Sequence, residues 1–131
     1  MDFYIEPSEN LSGEIEIPGD KSISHRAVIF GSLASGVSEF TNFLSGEDCL
    51  ATLNAFREMG VYTNLSDDKL IIHGVGINGL NEASKSLYLG NSGTSARLLV
   101  GLLGAQNFES IIISDFNIDG TNYIHCAGGY R

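Results

Sequence analysis

Gly19-Asp20-Lys21-Ser22-Ile23-Ser24-His25-Arg26 is the stretch on which the fold turns. The alternating run Glu14-Ile15-Glu16-Ile17 stops before it at Pro18-Gly19, and an apolar stretch from Ala27 to Leu33 begins directly after it. That pattern predicts a strand over residues 11–17, a turn, and a helix over Ser22 to Ser35 with Gly36 as its left-handed cap. A helix start leaves backbone N–H groups unpaired. Here they are joined by two hydroxyls (Ser22, Ser24), an ammonium (Lys21) and a guanidinium (Arg26) within about two helical turns, a candidate anion site with phosphate as the natural ligand. The competing reading is an ordinary capped helix with solvated charges, because Ser and Asp are also the usual N-cap residues.

A second stretch has similar features. Gly90-Asn91-Ser92-Gly93-Thr94-Ser95-Ala96-Arg97 follows a short apolar run (Leu87, Tyr88, Leu89) and opens an apolar helix that stops at Gly104. Both octets begin with Gly, carry Ser at the sixth place (Ser24, Ser95) and Arg at the eighth (Arg26, Arg97). Two such turns suggest a repeated supersecondary unit with ligand-binding ends.

The formal charge of −9 disfavours nucleic acid or an anionic membrane surface as partner, since both call for a broad basic field. A small anion is not excluded by it. Of the 7 Lys and Arg, Lys21, Arg26 and Arg97 lie in the octets. Distant carboxylates are damped beyond a Debye length of about 8 Å, while each charge-assisted hydrogen bond contributes roughly 1.5–3 kcal/mol. The local cations should dominate. The 2 cysteines, Cys49 and Cys126, are far apart in sequence and fit reduced thiols in a cytoplasmic protein. His25, His73 and His125 have no ligand spacing, so no metal site is expected. No secretory signal is visible at the N-terminus, and no apolar run approaches membrane-spanning length.

With 43% apolar residues and no linker or low-complexity segment, the 131 residues are read as one globular α/β (α+β) domain. A strand is expected at Val37 to Phe43. Ser45-Gly46-Glu47-Asp48 has the pattern of a capping box, followed by the helical stripe Leu50, Leu53, Phe56, Met59 up to Gly60. Val61 to Leu65, the turn Ser66-Asp67-Asp68 and Lys69 to His73 predict a β-hairpin. Residues 74–79 form a Gly-rich connection whose spacing is not a dinucleotide fingerprint. Strands are expected at Ser86 to Leu89 and Phe108 to Ser114, with one more weak strand around Tyr123 and Ile124.

The blocks from Leu11 to Ala27, Phe43 to Asp48 and Leu89 to Leu98 resemble, in order, the N-terminal part of the 3-phosphoshikimate 1-carboxyvinyltransferase (EPSP synthase) family. The resemblance implies an enolpyruvate-transferase-like lobe built from βαβαββ units, a cytoplasmic and usually monomeric enzyme of the shikimate pathway, and no metal or organic cofactor. It implies that the 5-hydroxyl of shikimate 3-phosphate attacks C2 of phosphoenolpyruvate and that phosphate then leaves. Carried over by position, Lys21 is the catalytic residue and contacts both substrates, Ser22 and Arg26 hold shikimate 3-phosphate, and Asn91, Gly93 and Thr94 line the phosphoenolpyruvate site. The residues themselves agree, since both substrates are small anions and Gly93 lets a phosphate approach the Gly93 and Thr94 N–H groups. Arg97 is read as structural, tying its helix to a carboxylate such as Asp48, with substrate binding as the lesser role. His25 is read as a packing or supporting residue rather than a base, and Asp20 as a cap or an orienting group for Lys21.

The resemblance has limits. The family carries an arginine-bearing segment after the strand at 108–114, where this sequence reads Ser114-Asp115-Phe116-Asn117-Ile118-Asp119-Gly120. Residues 115–131 are therefore expected to be a divergent tail, residues 1–18 to carry a strand that in the family belongs to the other lobe, and 1–131 to be a single partial domain. The expectation is a truncated family member, inactive alone, with a small phosphometabolite-binding or structural α/β domain as the alternative.

Overall fold

The computed structural model describes residues 3–7, 9–118 and 120–127, with side chains described for all of these except 116–118. Helices are α1 (Lys21–Leu33), α2 (Glu47–Glu58) and α3 (Gly93–Gly104); strands are β1 (Ser35–Phe40), β2 (Tyr62–Ser66), β3 (Lys69–Val75), β4 (Leu87–Tyr88), β5 (Ser110–Ile118) and β6 (Thr121–Cys126). One antiparallel sheet has the order β1-β3-β2, and a second has the order β4-β5-β6. In the second, β4 runs parallel to β5, with α3 as the crossover, and β5 pairs antiparallel with β6. One core spans both sheets. Leu53 and Phe56 of α2, Leu70 and Ile72 of β3, Leu99 and Leu103 of α3 and Ile112 of β5 are all fully buried in it.

Local chemistry explains most boundaries. The chain leaves α2 through Gly60 at φ 92°, with Val61 N–H donating to the Phe56 carbonyl and Gly60 N–H to the Arg57 carbonyl, each at 3.0 Å. That pair of bonds is a Schellman close, which satisfies carbonyls the helix end leaves open. The β2–β3 hairpin turns at Asp67, φ 53°, in the left-handed region that Asp tolerates better than most residues. Close packing explains two glycines. A Cβ on Gly31 of α1 would press within 3.0 Å of Ile72 and the Phe40 ring, and one on Gly74 of β3 would overlap the Gly31 and Ala34 carbonyls. Mid-helix glycine costs about 1 kcal/mol relative to alanine, and here it lets α1 approach the sheet.

The structure corrects four expectations. Residues 11–17 are not a strand; Leu11, Ile15 and Ile17 are exposed, because no strand among the described residues lies beside them to take their backbone hydrogen bonds. The same holds for the strand expected within 1–18, of which Met1, Asp2 and residue 8 lie outside the described residues. The first strand ends at Phe40 rather than Phe43, since Asn42 takes φ 56° and turns the chain. α1 is capped at Ala34, and Gly36 (φ 100°) lies beyond that cap, inside β1. The Ser45–Asp48 capping box does not form: the N-cap of α2 is Gly46, and the Asp48 carboxylate turns to Lys21. The weak strand expected around Tyr123 and Ile124 is β6, so 115–118 and 121–126 of the expected tail lie in a strand pair, while 119 and 128–131 lie outside the described residues.

Candidate functional site

Both octets open helices, and both are capped the same way. At α1, Asp20 is the N-cap and its Oδ1 accepts the Ile23 N–H at 2.8 Å; at α3, Ser92 is the N-cap and its Oγ accepts the Ser95 N–H at 3.2 Å. Each cap takes the third N–H of its helix. The first two, on Lys21 and Ser22 at one end and on Gly93 and Thr94 at the other, are not taken by it. The cap sits at the second place of the first octet and at the third place of the second. Lys21 therefore corresponds to Gly93 and Ser22 to Thr94, so the matches Ser24/Ser95 and Arg26/Arg97 are one residue out of structural register. The likeness of the two octets in sequence is a likeness of composition at two helix starts, not a position-by-position repeat.

The Lys21 ammonium pairs with the Asp48 carboxylate of α2, and its pKa is raised, first by the hydrogen bond to Asp48 and then by that carboxylate's charge. It stays protonated at neutral pH. It remains half exposed and has donors left for an anion, beside a cavity of about 290 Å³ lined by Leu44, Gly46, Glu47, Asp48 and Cys49. Ser22 and Arg26, one helical turn apart, are exposed on α1. Asp20 acts as a cap. Ser24 is buried and accepts the Leu44 N–H at 3.0 Å, which ties the loop before α2 to α1.

His25 is fully buried. Its Nδ1 lies 2.9 Å from Thr52 Oγ1 of α2 and 3.2 Å from Ser95 Oγ of α3, and its Nε2 lies 4.0 Å from Cys49 Sγ. Burial first, and the Lys21 charge second, push its pKa down, so the imidazole is neutral. Burial likewise pushes the Cys49 thiol up, away from thiolate chemistry. Through His25, Thr52 and Ser95 the first turns of α1 and α3 are held against each other. Asn91 and Thr94 are exposed on either side of the buried Ser92 cap, and Arg97 is exposed on α3.

Thr52, which sequence reasoning passed over, is the central residue of this cluster. Its one signal was a polar side chain on the stripe of α2 that buries Cys49, Leu53 and Phe56. Among the described residues no group of three His, Cys, Asp or Glu side chains converges as a metal site would need, and no helix is long and apolar enough to cross a membrane.

A family model described as EPSP synthase (3-phosphoshikimate 1-carboxyvinyltransferase) matches residues 5–122. The 3-phosphoshikimate 1-carboxyvinyltransferase of Citrifermentans bemidjiense is 53% identical over 115 residues, covering 88% of this chain and 27% of that protein. The protein of the same name from Ruthia magnifica is 51% identical over 113 residues, covering 86% of this chain and 26% of its own length. Two solved structures of EPSP synthase from Acinetobacter baumannii superpose on this fold. One gives a TM-score of 0.74 at 52% identity over 79% of this chain and 23% of that one; the other gives 0.80 at 40% identity over 89% and 32%. The chain thus spans about a quarter of the length of the curated relatives, 26–27%.

Proposed function

The chain belongs to the EPSP synthase family, and on that premise we propose that its two helix starts form the anion-gripping part of a 3-phosphoshikimate 1-carboxyvinyltransferase site. Lys21 contacts both substrates, Ser22 and Arg26 hold shikimate 3-phosphate, and Asn91, Gly93 and Thr94 line the phosphoenolpyruvate site. The observation that carries this reading is the pair of equally capped helix starts, joined through His25, Thr52 and Ser95, with a protonated lysine at one of them.

In the transfer, the 5-hydroxyl of shikimate 3-phosphate gives up its proton as its oxygen bonds to C2 of phosphoenolpyruvate, and the C2–C3 double bond opens as C3 gains a proton. The tetrahedral intermediate then loses phosphate and a C3 proton, leaving the enolpyruvyl ether. Both substrates and the leaving phosphate are anions. A fixed ammonium and oriented N–H dipoles stabilise the charge without reorganising during reaction. Lys21, a compact point charge, suits a position between two anions. Residues 1–131 act as one partial domain of a cytoplasmic, monomeric enzyme, and binding rather than turnover is the property assigned to these residues alone.

Calorimetric titration of the 131-residue protein with shikimate 3-phosphate tests this. Saturable binding that weakens roughly 10- to 100-fold in Lys21→Ala and in Arg26→Ala is expected, the loss of one charge-assisted hydrogen bond each. Absence of binding at millimolar ligand, or equal affinity in both variants, overturns the assignment and leaves a structural α/β domain.

A further inference from the structure

The buried contacts between the helix starts form a chain with a direction. Ser92 Oγ lies 2.7 Å from Ser95 Oγ, Ser95 Oγ lies 2.6 Å from Thr52 Oγ1, and Thr52 Oγ1 donates to the Asp48 carbonyl at 3.2 Å. All three hydroxyl residues are buried. Each hydroxyl has one proton to give. The proton of Thr52 goes to Asp48, so Thr52 Oγ1 accepts from Ser95, and Ser95 Oγ in turn accepts from Ser92. Ser92 Oγ takes the backbone N–H of Ser95, which leaves its own proton for that donation. The Thr52 oxygen keeps a second lone pair toward His25 Nδ1 at 2.9 Å, which also lies 3.2 Å from Ser95 Oγ, so an Nδ1–H tautomer donates into the chain and leaves Nε2 to accept from the Cys49 thiol. Asp48, where the chain ends, is the residue whose carboxylate holds Lys21.

We infer that His25, as the neutral Nδ1–H tautomer, and Thr52 are positioning residues that hold a one-way hydroxyl chain between the Ser92 cap and Asp48, and so set where the Gly93–Thr94 N–H groups stand relative to Lys21. Both side chains are fully buried. Their effect on affinity passes through the corner they hold. The inference about ligands rests on the proposed function; the inference about geometry does not.

Two measurements separate them. On isotope-labelled protein at pH 7, the imidazole nitrogen shifts of His25 report the Nδ1–H tautomer. The Gly93, Thr94 and Lys21 amides are displaced in Thr52→Val, which keeps the shape and removes the hydroxyl, and return in Thr52→Ser. An Nε2–H tautomer, or shifts confined to α2, overturns the positioning role whether or not any ligand binds. Titration with phosphoenolpyruvate in the presence of shikimate 3-phosphate is expected to show roughly tenfold weaker binding in Thr52→Val, with Thr52→Ser within about twofold of the parent. Equal affinity in Thr52→Val, or a Thr52→Ser protein as weak as Thr52→Val, overturns it. A parent chain that binds neither ligand defeats the proposed function, and the tautomer and amide shifts then decide the positioning role alone.

Discussion

At α1 a carboxylate caps the helix; at α3 a hydroxyl does. The geometry is shared, since each cap accepts the N–H three residues on and leaves the first two. The electrostatics are not. The α1 corner holds the Asp20 carboxylate, the Lys21 ammonium and, beside it, the Asp48 carboxylate, so its field is a balance of full charges. Around the Ser92 cap the α3 corner offers peptide dipoles and hydroxyls, next to a glycine without a side chain. One helix start is thus set among full charges and the other among neutral donors and acceptors. Burial differs too: Ser92 is almost fully buried, whereas Asp20 is exposed, so the α3 cap is part of the core and the α1 cap is part of the surface.

The largest break in that comparison should come from removing the caps. Ser92→Ala removes a cap and one end of the buried hydroxyl chain, and thermal unfolding should show a loss of about 2 kcal/mol, the upper part of the range for capping residues. Asp20→Ala loses an exposed cap alone and should cost about half of that. Equal losses would show that the two corners are supported alike after all.

The pH dependence of stability sharpens the contrast between buried and exposed groups. The pKa of His25 is lower in the folded protein than in the unfolded chain, so the unfolded state takes up a proton first as pH falls. Stability from the neutral imidazole is present above the unfolded value of about 6.5 and declines below it, by at most about 1.4 kcal/mol per pH unit. Melting temperature should therefore fall from pH 7 to pH 5, and the slope over that window should flatten in His25→Gln. An unchanged slope would place the dependence on other groups.

Asp20→Asn is the smallest and most selective change. An amide oxygen still accepts the Ile23 N–H, so stability should hold within about 0.5 kcal/mol. Removing the negative charge should raise the affinity of shikimate 3-phosphate a few-fold at low salt, and the gain should shrink at high salt. A gain that is indifferent to salt would mean that Asp20 acts by shape rather than by charge.

Much of the fold follows from short-range chemistry. Both helix starts lie in the octets, the turn of the hairpin lies at Asp67, and α2 closes at Gly60, because caps, left-handed residues and apolar stripes act within a few positions. Where legibility failed, a distant partner decided. The alternation of residues 11–17 is a good strand pattern, yet a strand needs a neighbour, and none lies beside it among the described residues. The Ser45–Asp48 box is equally sound locally, but Lys21, far away in sequence, takes the Asp48 carboxylate instead. The off-by-one relation of the octets was hidden for a related reason: Gly, Ser and Arg recur in both, while the structural register is set by which side chain accepts the third N–H. Thr52 was invisible from either octet, since a hydroxyl on the inner face of α2 acquires meaning only when two other helices bring His25 and Ser95 to it.

By itself the amino-acid sequence determined where α1 and α3 begin and which residues carry charge to those beginnings, because capping and charge are local and additive to a good approximation. Only the tertiary structure decided that the two beginnings are neighbours and that Lys21 is held by Asp48. It also decided that His25 is a buried neutral link, because burial and proton direction depend on groups that the chain brings together from tens of residues apart.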